Sequence, residues 1–258
     1  CNPHYHLHEE MESTMFAMVK ALAKKPQKGK LTPNWKIAFE GVADAYLGDL
    51  PTDLKTFNFE VDGKSYTPYT YAEELELNMD DYVSLTSYSH HPFYETFVLE
   101  VQDNWAMQSS YNLPLDELMQ VMEEAVMNGY SFAWGADVSE KGFSSRDALA
   151  IVPKDESTIS SKGKDEKFFN SAGAEKLSNA FMMPVEERIV SQDERQEAFD
   201  SQETTDDHGM HVTGVVKDQK GTKYFKVKNS WGTSYNQCDG YFYASFHSLL
   251  TFFLQKSQ

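Results

Sequence analysis

The stretch from His208 to Ser230 constrains the fold of this chain more than any other. Two runs rich in strand formers, HGMHVTGVV and YFKVKNS, flank KDQKGTK, a glycine-containing connection of hairpin length. Side chains alternate between the faces of a strand, so His208, Met210 and Val212 share one face while His211 and Thr213 share the other. On the second run Phe225, Val227 and Asn229 share a face, and Lys226 and Lys228 lie opposite. With the turn centred between residues 218 and 221, antiparallel register sets Asn229 across from a residue between 208 and 212. His208 and Asn229 are therefore candidates for contact. An amide beside an imidazole fixes its tautomer and leaves the second ring nitrogen for proton transfer. The alternative is a structural histidine with no chemistry. The two histidines of the first strand face apart, so they make a poor joint metal site.

The rest of the chain supplies the frame. Met11, Met15, Val19 and Leu22 recur at helical spacing over 9–25, and Trp35, Phe39, Val42 and Tyr46 do so over 33–47, with Gly48 as a stop. Residues 57–70 read as a hairpin turning at Asp62-Gly63, and 82–101 as extended chain broken at Pro92. The clearest helix lies in LPLDELMQVMEEAVMNG at 113–129, with an apolar stripe, Asp116 and Glu117 in its first turn and Gly129 at its end. A short buried strand is predicted within 130–139, a solvated excursion over 154–178 and a charged surface helix over 185–203. We place a division near residue 110, with a helical and extended region at 1–110 and a β-rich domain at 111–258.

Composition narrows the function classes. With 23 basic against 40 acidic residues the formal charge is −17, which repels a phosphate backbone, so nucleic acid is not an expected partner. No apolar run reaches the roughly 20 residues of a membrane helix, so no membrane partner is expected either. Two cysteines in 258 residues fit a reducing, cytoplasmic setting; an exported chain with its signal removed reads the same way. HYHLH at 4–8 and the pair His90-His91 are candidate metal ligands by residue type. Without a cysteine or acidic residue completing either set in the sequence, they read as a polar terminus and a loop, and no metal or cofactor is predicted. Asp137, at the end of the predicted buried strand, reads as an acceptor for neighbouring backbone.

Taken literally, DHGM and VTGV followed by YFKVKNSWGTSYNQCDGYFYAS resemble the histidine and asparagine region of papain-like cysteine peptidases. The block NMDDYVSLTSY at 78–88, the strand FAWGADVS at 132–139 and the charged insertion before the histidine are most similar to the bleomycin hydrolase and aminopeptidase C branch. The resemblance implies an α+β papain-like fold, of which this chain supplies an antiparallel sheet or barrel half with helical insertions. It implies that His208 is the general base of a thiol peptidase, that Asn229 orients it, and that Trp231 and Asp207 support the pair. It makes His211 a bystander, a peptide the substrate and a ring-shaped hexamer the assembly.

The nucleophile is not found. That family places it in a Cys-Trp pair at a helix N-terminus, and neither Cys1 nor Cys238 precedes a tryptophan; the oxyanion glutamine is missing too. Three readings account for this. The leading one makes the chain the C-terminal portion of a longer peptidase whose amino-terminal segment carries the nucleophile. The others are a catalytically inactive peptide-binding or assembly protein, and an enzyme using Cys1 with its own amine. Exo- versus endopeptidase action stays open.

Overall fold

The hairpin that dominates the sequence reading is also the centre of the fold. A computed structural model describes residues 8–24, 31–48, 50–76, 78–101, 104–162, 175–205 and 208–251. They divide into two compact units, 1–78 and 79–258.

In the first unit, helices α1 (His8–Lys24) and α2 (Asn34–Leu47) pack on each other, with the Tyr46 hydroxyl donating to Glu10 at 2.8 Å. Strands β1 (Phe59–Val61) and β2 (Lys64–Tyr66) form the expected hairpin, and Asp62 and Gly63 both take the positive φ that its tight turn demands. The second strand stops earlier than the sequence suggests. Thr67 and Thr70 form a reciprocal capping box with Pro68 in the first turn, so 68–74 becomes helix α3 (Pro68–Glu74) rather than a strand.

The second unit opens with β3 (Leu85–Thr86), β4 (Thr96–Val98) and β5 (Ser109–Asn112), a three-stranded sheet in the order β3-β5-β4. Strand β5 bonds to both neighbours, and the division into two compact units falls at residue 78. Helix α4 (Leu115–Met127) follows and buries Leu115, Leu118 and Met122, as its stripe predicts. Then come β6 (Phe132–Ala136), β7 (Phe143–Ser144), β8 (Leu149–Ala150), and the short pair β9 (Ser160–Lys162) and β10 (Glu175–Leu177). The ends of the expected solvated excursion are thus paired strands, and its middle, 163–174, lies outside the described residues. The surface helix expected over 185–203 is confined to α5 (Gln192–Asp200), where Ser191 and Glu194 make a capping box. Residues before it run extended, with Glu187 bridging to Pro153.

Strands β11 (His208–Lys217), β12 (Lys223–Lys228) and β13 (Tyr241–Ser245) complete a six-stranded sheet in the order β6-β11-β12-β13-β8-β7, and α6 (Phe246–Thr251) leaves β13 directly. The alternation read from the sequence holds. Met210, Val212, Phe225 and Val227 are buried with Trp134, Phe242, Leu118 and Leu249 in the main core. Burying side chains of this size contributes about 1.5–3 kcal/mol each. The opposite face carries a smaller core only at one end, where Tyr224 meets Ile151, Ile159 and Phe181. At its other end the same face bears His211, Thr213, Lys226 and Lys228. A bulge between Val212 and Gly214 adds one residue to β11 midway along the hairpin. This is an α+β fold.

Candidate functional site

Two neighbouring strands bring the candidate pair together. His211 lies opposite Lys228, which puts Asn229 across from Met210, two positions along the same face from His208. The Nε2 atom of His208 and Oδ1 of Asn229 are 2.8 Å apart. The amide orientation is set from the other side, because the Ser230 backbone N–H donates to the same Oδ1 at 2.7 Å. An oxygen already accepting from Ser230 also accepts from the imidazole, so Nε2 carries the hydrogen and Nδ1 is the basic nitrogen. Burial lowers the His208 pKa from its ordinary value, and the hydrogen bond to Asn229 opposes that shift.

The loop after Asn229 holds the amide in place. Asn229 is 3% exposed, and its backbone N–H donates to Gly240 at 3.1 Å. Asn236 ties the loop from inside, accepting from the Cys238 N–H at 2.9 Å and donating to the Tyr241 carbonyl at 3.0 Å. Gly240 has φ +77°, and a Cβ there would lie 2.2 Å from the Gly232 oxygen, so only glycine fits. Trp231 lays its indole beside the imidazole, ring centres 4.7 Å apart and tilted by 34°, and is itself buttressed by Phe143 and Tyr235.

The lead into His208 is anchored by two acidic residues. Asp137, 1% exposed, accepts from the backbone N–H of Ser139 at 2.9 Å and of Thr205 at 2.8 Å, the role its position suggests. Glu140 accepts from the Thr204 hydroxyl at 3.0 Å; burial, reinforced by the charge of Asp137, pushes its carboxyl up to about 7. Sequence reasoning missed Glu140, because nothing local marks a carboxylate that burial will perturb. Asp207 lies outside the described residues.

The remaining candidates fall elsewhere. His211 points to the other face and contacts the Ser131 hydroxyl at 2.8 Å. Cys238 is half-buried against the main core. Cys1, together with His4 and His6 of the HYHLH run, lies outside the described residues. A cavity of about 330 Å³ opens beside Asn229 and Ser230, floored by the paired glycines Gly135 and Gly209. A second cavity at Ile151, Phe181, Tyr224 and Tyr243 includes neither His208 nor Asn229. Among the described residues one group of side chains converges as metal ligands would: His90, His91 and Glu100. No described helix is long and apolar enough to cross a membrane.

The family model described as papain family cysteine protease matches residues 152–248, which include His208, Asn229 and Trp231. No curated protein matches the chain. Among solved structures, PepW from Lactobacillus rhamnosis HN001 is similar with a TM-score of 0.54 at 18% identity, over 95% of this chain and 51% of that one. The chain thus spans about half the length of that protein. The fold is papain-like, and residues 152–248 carry the papain-family cysteine protease signature.

Proposed function

We propose that this chain supplies the histidine–asparagine half of a cysteine peptidase active site, of the bleomycin hydrolase and aminopeptidase C type. The observation that carries the reading is the 2.8 Å contact between His208 Nε2 and Asn229 Oδ1, which leaves Nδ1 as the proton acceptor. In this reading the thiol belongs to a further segment preceding this chain. Its proton passes to His208 Nδ1, and the thiolate attacks the peptide carbonyl. The C–N bond breaks as the imidazolium returns the proton to the leaving amine, and water, deprotonated by His208, releases the acyl group from sulfur. Asn229 holds the ring in one orientation throughout, and Trp231 screens that hydrogen bond from water.

A second reading, a catalytically inactive peptide-binding protein, is favoured by the absence of any Cys-Trp pair from the sequence. Assaying the natural gene product on fluorogenic aminoacyl and blocked peptides, with and without iodoacetamide, separates the two. Alkylator-sensitive hydrolysis that His208→Ala abolishes supports the peptidase. Peptide binding with no hydrolysis supports the second reading, and activity lost on Cys1→Ser assigns the thiol to Cys1.

A further inference from the structure

The turn between β3 and β4 holds a polar cluster that the proposed peptidase chemistry does not use. His91 Nε2 lies 2.8 Å from one oxygen of Glu100, and His90 Nε2 lies 3.2 Å from the other. All three ligand atoms fall within 4.8 Å of one another. The rings are held from behind by Phe97, which stacks on His91 with centres 4.1 Å apart, and by Phe199, which stacks on His90 at 5.2 Å.

The tautomer of His90 is fixed by its surroundings. Gln196 donates its amide nitrogen to Asp200 at 2.8 Å, and its Oε1 accepts from the Ser89 backbone N–H at 2.7 Å. That oxygen also faces His90 Nδ1 at 3.1 Å, so Nδ1 carries a hydrogen. Nε2 then presents a lone pair to a carboxylate unless a cation stands between them. An imidazole whose far nitrogen donates to an amide oxygen is the arrangement seen around metal-bound histidines.

The turn is built before any ligand arrives. Asn112, fully buried, accepts from the Tyr88 N–H at 2.9 Å and donates to the carbonyls of Tyr88, His91 and Pro92 at 2.8–3.1 Å.

We propose that His90, His91 and Glu100 bind a divalent transition metal of the zinc class. Two imidazoles and one carboxylate are a zinc donor set, and ligand atoms around a tetrahedral zinc stand about 3.3 Å apart, close to the spacings found here. The exposed carboxylate leaves the remaining position to water. Bound metal would join the turn to the end of β4 and, through Gln196, to α5.

The test titrates the protein with Co²⁺, read by its visible absorption, and with Zn²⁺, read by calorimetry and by the melting temperature. One equivalent should bind and raise the melting temperature. His91→Gln and Glu100→Gln should each weaken binding at least tenfold while circular dichroism shows them folded. Substituting His4, His6 and His8 together should leave it intact. The proposal is overturned if neither metal binds at millimolar concentration, if binding survives both single variants, or if it disappears with the amino-terminal histidines.

Discussion

Asn229 is a buried amide whose single oxygen serves two donors, the His208 ring and the Ser230 backbone. Asn229→Ala leaves both without an acceptor, and the expected loss is about 1–3 kcal/mol of stability, measured as a shift in urea midpoint at unchanged slope. The contact was legible in the sequence because a period of two and a short turn leave few partners for His208. Glu140 was not legible, since its pKa comes from burial beside Asp137 and Thr204, residues that only the fold assembles. Its carboxyl rises from 4.5 to about 7, so the folded state holds a proton that the unfolded chain has released. Stability from this group is therefore full below pH 4.5 and is lost as the pH rises to about 7, a change of about 3 kcal/mol by linkage. Glu140→Gln should flatten that part of the pH–stability curve in thermal melts between about pH 4.5 and 7.5.

Elements were readable where one periodicity dominated and unreadable where caps or partners decided. The stripe of α4 and the alternation of β11 and β12 gave their buried faces directly. β5 escaped notice because SSYN is polar and becomes a strand only by pairing with β3 and β4. The helix α3 depends on a threonine pair, and the start of α5 on Ser191, which hydropathy does not register. The cluster of His90, His91 and Glu100 needed the turn around Pro92 to bring residue 100 back to residue 91. Between β12 and β13 the loop is closed by Gly240, whose carbonyl accepts from Asn229. Gly240→Ala forces a collision with the Gly232 oxygen, and a cost of about 1–3 kcal/mol is expected from backbone strain alone. Amide exchange at Asn229 should accelerate in this variant before the core of the sheet is affected.

Across the second unit, one sheet separates two unequal cores, and His208 lies on the face of the larger one. The papain-like class was readable from the motif, whereas the boundary at 78 was not, because the sheet of β3, β4 and β5 joins residues on both sides of position 110. The bulge in β11 marks a mechanical asymmetry. Residues 208–212 bond to β6, and 211–212 to β12 as well, whereas 214–217 bond to β12 alone. Deuterium uptake should begin at the hairpin tip around Gln219–Gly221 and reach His211 and Val212, bonded on both sides, last. The tip is consequently a handle: a peptide tag spliced there would ride on the half of the ribbon that can unzip, with the histidine end still clamped.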